Sequence, residues 1–492
     1  MSSSQKIYTH SLKQPITTGV VKNNPTARFV YTTLCLLFLA NLGVLIFKAT
    51  KPLQLAAGDF IVFNHFSLLI WTTVTFFGAI VSTYAANYLK GFKYHSRFMI
   101  LTLVFTLTVM LLVVSNHLIL LIASWLLMGI LMSRLIGVNK DWAEARASSQ
   151  FTLRYFLGGS LLLGLAVLGL AMYTGQHTLN GISIAVTTAP KYITMPAAFL
   201  VILASLIQSA IYPFHRWLMS TMTAPTPASA LMHAGFVNGS GILLTIFATL
   251  LFASNTLTLL FIIGGLTAII AQFAKLLQVH VKQKLACSTI AQMGFMIMQC
   301  GLGFFNAAVA HLILHGFYKA YLFLSSGEEI AQTSPEKPEH LHIKPLQAVV
   351  VLVFGILGAA LFALLTGKGL SLNSSVFLTL IVAITVGQAT YNVVKEQTLN
   401  SFQKIFIPPV FFFLGIGAYA LVYNGVTYLM RDLIQPAQAL PLSWPQVIFS
   451  LIFLLGFFAM KLGLYHKVPW LYVKLMNHTQ PYRKSVFLSK SK

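Results

Sequence analysis

The sequence predicts an all-α polytopic membrane protein of about fourteen transmembrane helices. Three observations carry this reading. Hydrophobic residues make up 57% of the chain and charged residues only 8%, whereas soluble domains carry about 25% charged residues. Apolar stretches long enough to cross a bilayer, at about 1.5 Å per helical residue, recur along the whole length. Basic residues gather on alternate connections between those stretches, as multi-pass topology requires.

In order, the stretches cover 29–47, 67–88, 98–115, 118–133, 155–173, 195–212, 229–252, 257–277, 285–305, 308–325, 346–366, 376–394, 405–423 and 446–464. Residues 1–28 are polar and basic, with no apolar core beside a small-residue cleavage site. They read as a cytoplasmic N-terminal segment and not as a signal peptide. The transmembrane domain then spans 29–464, and 465–492 form a basic cytoplasmic tail.

Of the 32 lysines and arginines, 24 fall in the N-terminal segment, in alternate connections and in the tail. Those connections hold Lys90, Lys93 and Arg97; Arg134 to Arg154; Arg216; Lys282 and Lys284; Lys337 and Lys344; Lys395 and Lys404. The intervening connections hold five: Lys48, Lys51, Lys191, Lys368 and Arg431. By the positive-inside rule both termini are cytoplasmic. The net charge of +23 is thus mainly a topology signal, with attraction of anionic lipid or an acidic partner as an added effect. Nucleic-acid binding is not indicated.

The nine acids lie at span ends or in connections, so no carboxylate sits at membrane depth. Cys35, Cys287 and Cys300 all fall in apolar segments without metal-ligand spacing. An odd, scattered set points to neither a disulfide frame nor an iron–sulfur site.

The chain is organised around Ala310 to Gly327, AHLILHGFYKAYLFLSSG. His311, His315 and Lys319 are spaced by four, which on an α-helix turns about 40° and climbs roughly 6 Å per step. They form one polar ladder on one helix face. An ionisable residue at membrane depth commonly costs ~2.5–3.5 kcal/mol or more, and so marks an ion path by default. The competing reading is a lysine that snorkels to the interface, with histidines bonded to backbone. Lys319 lacks an acidic partner at its own depth. A buried amine can exchange protons with imidazoles and water, or a second subunit brings the missing charge.

A second constellation, SLIQSAIYPFHRWLMSTMTAPTPASALMHAGFVNGSG, occupies 205–241. Pro213, Pro225 and Pro227 interrupt a helical region, and interrupted membrane helices line cavities or lie buried in protein. His233 is placed just after the break. A third stretch, KLLQVHVKQKLACSTIAQMG, carries Lys275, His280, Lys282 and Lys284 where one span ends and the next begins; Lys275 is the one expected to reach inward. The acidic, proline-bearing loop 326–345 is a candidate docking surface or a solvated linker, and the aromatic, basic tail from His466 reads as interfacial or partner-binding.

Three motifs in this order, PTPASALMHAG (225–235), KQKLACSTIAQMGF (282–295) and HLILHGFYKAYLFLSSG (311–327), resemble the antiporter-like superfamily. That superfamily comprises the proton-pumping membrane subunits of respiratory NADH–quinone oxidoreductase and of Mrp-type cation/proton antiporters. The resemblance implies two inverted five-helix repeats, each with a broken helix, joined by a polar axis of lysines, histidines and water. His233, Lys282, His311, His315 and Lys319 match that axis or its flanks, and Lys368 would stand for the lysine of the second broken helix.

Two departures are informative. Leu126 follows Trp125 where the family has a glutamate, and Gln208 precedes Ser209-Ala210 where it has a lysine. Losing both partners of a buried ion pair avoids stranding one charge. Together with the wording of the third motif and the Pro-Trp-Leu-Tyr-Val tail, this is similar to the DabB branch, the membrane subunits of two-part inorganic-carbon pumps. The resemblance implies ion flux, of protons or sodium, coupled to a large soluble zinc-binding, DabA-like subunit on the cytoplasmic face. The zinc would be the partner's and this chain would carry no cofactor. A proton-translocating subunit of an NADH–quinone oxidoreductase or hydrogenase-type complex, a stand-alone antiporter and a purely structural anchor are the alternatives.

Overall fold

The computed structural model describes residues 24–51, 53–326, 345–369, 371–383, 401–433, 439–461 and 468–486. In a bilayer each backbone amide has to bond within the protein, which apolar helices achieve segment by segment. Among the described residues nine helices are long and apolar enough to cross a membrane. They are α1 (Pro25–Lys48), α2 (His65–Tyr88), α3 (His95–Val114), α4 (Leu118–Ile136), α5 (Ala143–Thr174), α7 (Lys191–Gln208), the pair α9 (Thr226–Ala234) and α10 (Gly239–Ile246), α12 (Leu257–Leu276) and α14 (Phe305–Ser325). Short helices α6 (Leu179–Ala185), α8 (Arg216–Met219) and α11 (Ala248–Ala253) lie between them. The more polar α13 (Val281–Gly301) follows α12. Further on come α15 (Pro345–Thr366), α16 (375–383), α17 (Ser401–Leu429), α18 (Trp444–Lys461) and α19 (Pro469–His478). The expected N-terminal segment to residue 23, the docking loop from 327 to 344 and the end of the 376–394 stretch lie outside the described residues.

One element departs from an all-helical chain. β1 (Gln54–Ala57) and β2 (Ile61–Asn64) form an antiparallel hairpin with Gln54 opposite Asn64. Gly58 turns it at φ +56°, a conformation glycine adopts without steric cost. The connection between α3 and α4 takes up the hairpin backbone: Asn116 N donates to Phe60 O at 2.9 Å and Asn116 Nδ2 to Asp59 O at 3.1 Å. Asn64 then caps α2 by accepting from Ser67 N at 2.9 Å.

Small residues set the closest helix pair. A Cβ added at Gly264 of α12 would lie 2.5 Å from Gly294 O, and one at Gly301 2.3 Å from Phe261 N. Only glycine permits this backbone-to-backbone approach of α12 and α13. α1, with Leu36, Leu39, Ile46 and Phe47 exposed, forms an edge of the bundle.

The connections segregate into two ends. At the basic end Lys93 pairs with Asp141 at 3.3 Å, Lys282 reaches Ala224 O, and the tail is tied down through His215 to His478 O and Tyr482 N to Ser220 Oγ. At the opposite, lysine-poor end His65 is held between the Asp432 carboxylate and Lys48 O. There Ser374 also links Leu302 O to the Leu440 amide. The ladder helix α14 runs between these two ends.

Candidate ion-translocation site

α14 places His311, His315 and Lys319 in its central part, with His315 at the midpoint of Phe305–Ser325. The two imidazole rings stand 6.1 Å apart at 25°, and Nε2 of each is buried without a protein partner. Next to His315, a Cβ on Gly316 would meet Phe77 Cζ at 2.5 Å and Ala234 O at 2.9 Å. Glycine here lets α9 and α2 press against α14 on the side next to the ladder.

Lys319 is fully buried, 0% exposed, and its Nζ donates to Leu285 O of α13 at 2.9 Å. It does not snorkel. The same carbonyl accepts from Thr289 Oγ1 at 3.1 Å, and Thr289 Oγ1 pairs with His233 Nδ1 at 2.9 Å. The His233 ring lies over Phe323 of α14 at 4.3 Å and 15°. Lysine, carbonyl, hydroxyl and imidazole thus form one hydrogen-bonded chain across α14, α13 and α9. When Thr289 gives its hydrogen to Leu285 O, His233 Nδ1 donates; if the hydroxyl rotates, the imidazole accepts instead. A hydroxyl that can reverse in this way is suited to proton relay.

His233 lies near the end of α9 and precedes a second interruption, the 3-10 turn Phe236–Asn238. The break frees carbonyls, and side chains satisfy them. Asn238 Nδ2 donates to Ala234 O at 2.7 Å and to Leu312 O at 3.2 Å. Gln208 Nε2 donates to Phe236 O at 3.2 Å, and the Ser209 hydroxyl bonds Val237 O and Ser240 Oγ. Gln208 is therefore a buried neutral amide that holds a broken helix together. Leu126 on α4 is half-buried.

The remaining sequence-derived residues divide. Lys282 donates to Ala224 O at 2.9 Å, fastening α13 to the irregular segment before α9. Lys275 is half-buried at the end of α12. Lys368 stands apart at the lysine-poor end, between Gly367 and Gly369, with Nζ 5.0 Å over the Phe304 ring. Half-burial pushes its amine below the ordinary lysine range.

Among the described residues the carboxylates are Asp59, Asp141, Glu144 and Asp432, and no salt bridge reaches Lys319. No group of three or more His, Cys, Asp or Glu side chains among them could hold a metal ion.

Sequence reasoning did not single out Thr289 or the Leu285 carbonyl. Thr289 lies seven residues, two helical turns, beyond Lys282, so the helical period places both on one face. It also missed Asn306 with Tyr419, Tyr423 and Thr427 on α17, although the last three repeat the spacing of four.

The family described as "NADH:quinone oxidoreductase/Mrp antiporter, TM" matches residues 115–394. The chain belongs to this family. The antiporter-family chain is 32% identical over 403 residues to the probable inorganic carbon transporter subunit DabB of Bacillus anthracis, covering 80% of this chain and 76% of that protein. It is 36% identical over 282 residues to the probable inorganic carbon transporter subunit DabB1 of Halothiobacillus neapolitanus, covering 53% of this chain and 49% of the relative. It is also 31% identical over 325 residues to NADH-quinone oxidoreductase subunit L of Escherichia coli, covering 63% of this chain and 52% of that subunit. The Mrp complex from Dietzia sp. shares the fold, with a TM-score of 0.65 at 19% identity over 94% of this chain and 55% of the other. The antiporter-family chain is thus a multi-pass, transport-type membrane subunit with inorganic carbon transporter homologues.

Proposed function

We propose that the chain is the ion-conducting membrane subunit of an energy-coupled inorganic carbon pump. Ion flux, of protons or sodium, drives CO2 hydration to bicarbonate at a soluble zinc subunit on the cytoplasmic face of a bacterial inner membrane. Both termini face the cytoplasm, the fold comprises two inverted repeats within about fourteen spans, and the metal belongs to the partner. The observation that carries the reading is the chain from Lys319 through Leu285 O and Thr289 to His233, in a protein whose relatives include inorganic carbon transporter subunits. Retention of this basic cluster, with Gln208 and Leu126 in place of a charged pair, supports a single charged relay in the second half.

Under this reading Lys319 carries the exchangeable proton and the two imidazoles pass it along α14. The Nζ–H bond breaks as a nitrogen or water oxygen beside it gains the proton, and Leu285 O holds the amine in place throughout. Leu285 O accepts from both Lys319 and Thr289 and passes no proton itself, so a water beside the amine would carry the proton across; His233 would take it up at one ring nitrogen as the other releases one toward the first half of the bundle. Lys282 and Lys275 keep the basic end positive, and Lys368 marks the opposite end.

The test is affinity purification of the full chain from native membranes, with zinc analysis of what accompanies it and growth at ambient CO2 as readout. Recovery of a zinc subunit and loss of growth in a deletion strain are expected. Recovery with a peripheral NADH dehydrogenase would overturn the reading in favour of a respiratory proton-translocating subunit, the class of the E. coli relative.

A further inference from the structure

A second row of polar side chains lies between the ladder and the lysine-poor end, and the relay described above does not use it. Tyr419, Tyr423 and Thr427 repeat the spacing of four on α17, about 40° per step, and the two phenol rings stand 6.4 Å apart at 17°. Asn306, fully buried at the start of α14, divides its amide between them: Nδ2 donates to Tyr423 OH at 3.2 Å and to Thr427 Oγ1 at 2.7 Å. Its Oδ1 accepts from Ala307 N at 2.9 Å, which fixes the amide's orientation. Toward the ladder, the Gln299 amide lies within reach of Tyr419, and its Oε1 is buried without a protein partner. Gln299 is one turn beyond Phe295, whose ring lies at 22° and 6.2 Å from that of His311. His311 Nε2, at that end of the ladder, is also unpartnered.

The surroundings are apolar. Phe304, Phe305 and Phe362 are each no more than 1% exposed. In such packing phenylalanine would fill the volume of Tyr423 with no hydroxyl to desolvate. Instead hydroxyls and amides continue in line with the histidines as far as Thr427. Asp432, which clasps His65, follows just over one turn later on the same chain segment.

We propose that this row is the proton path between the His311 end of the ladder and the lysine-poor face, with Tyr419, Tyr423 and Thr427 relaying and Gln299 and Asn306 positioning them. The inference rests on the proposed ion-conducting role and deepens it. Among the described residues no hydroxyl of the row donates directly to the next, and Thr427 Oγ1 donates to Tyr423 O at 2.7 Å, so each transfer runs through a bridging water. The water gives a proton to one hydroxyl oxygen as it takes one from the hydroxyl behind it, and rotation of the hydroxyls resets the line. Every group ends neutral, and one proton has advanced.

The test uses the full chain with whatever subunits co-purify, in membrane vesicles where proton movement is followed with a pH-sensitive dye. The double variant Tyr419→Phe/Tyr423→Phe is expected to lower flux about 100-fold, the scale of a lost proton-transfer group, while melting within a few degrees of the parent. Lys319→Met is run beside it. Full flux in the tyrosine variant with a silent Lys319 variant overturns the path and leaves the pump reading standing; full flux in both overturns the pump reading itself. Should the tyrosine variant fail to assemble, Thr427→Cys in a chain with Cys35, Cys287 and Cys300 replaced by alanine decides. Labelling by a membrane-impermeant maleimide from the lysine-poor side supports the path, and no labelling from that side overturns it.

Discussion

Replacing Lys319 by methionine separates stability from function. A charged side chain at membrane depth costs ~2.5–3.5 kcal/mol, and its one charge-assisted hydrogen bond, to Leu285 O, returns about 1.5–3 kcal/mol. The ammonium is therefore close to neutral or unfavourable for folding by up to about 2 kcal/mol. Methionine matches the length of the aliphatic stem and leaves no carbonyl stranded, because Thr289 Oγ1 still donates to Leu285 O. Lys319→Met should thus melt at or above the parent temperature, measured by thermal unfolding in detergent. Proton flux in vesicles and growth at ambient CO2 should meanwhile collapse, by about 100-fold or more for the flux. Opposite signs in two assays are the signature of a charge retained for function. A variant destabilised by more than about 3 kcal/mol, the cost of breaking a buried ion pair, would refute the energetics. A stable variant with parental flux would refute the role.

His233→Leu removes the imidazole from Thr289, whose hydroxyl keeps Leu285 O; stability should fall by about 0.5–1.5 kcal/mol, and flux should fall far more in the same vesicle assay. Gly264→Val forces a Cβ to within 2.5 Å of Gly294 O; the closest helix pair must part, at a cost of about 1–3 kcal/mol or more, visible as lost expression and a lower melting temperature. Gln208→Lys places a charge among Phe236 O, Ser209 and Ser240 with no carboxylate at Leu126 to meet it; a loss of about 3–5 kcal/mol, the penalty of an unpaired buried charge, should appear as failure to accumulate in the membrane.

The bundle was legible because hydrocarbon imposes a length and a composition on every span. Pro25–Lys48, His65–Tyr88 and Leu257–Leu276 begin and end within four residues of the stretches read from hydropathy. The 229–252 stretch was less legible, because composition cannot show where a helix breaks. Asn238 bonding Ala234 O, and Gln208 bonding Phe236 O, are long-range contacts that make the 3-10 turn affordable. The hairpin at Gln54–Asn64 was hidden for a similar reason: the α3–α4 connection stabilises it from more than 50 residues away. At the site the ladder followed from spacing alone, since i and i+4 share a helix face whatever the fold. Its acceptor could not be foreseen. Leu285 contributes a backbone carbonyl, which every residue possesses and no motif marks.

That acceptor bears on how the relay could work. A carboxylate partner would hold Lys319 as an ammonium through strong pairing, and a proton could leave only by breaking an ion pair. A carbonyl accepts one N–H whether the amine is charged or neutral, so the side chain stays in place through both states. The reorganisation between states is then small, and the neighbours along the ladder and its hydrogen-bonded chain, His315 and His233, are bases like the amine itself. Each is basic, so protonating one opposes protonating the next, and mutual repulsion favours passing a single charge along the line over accumulating several. Under the proposed function, the loss of charge at positions 126 and 208 extends the same logic. With a leucine and a neutral amide at those two positions, neither one is a charged site that competes for the proton carried by Lys319.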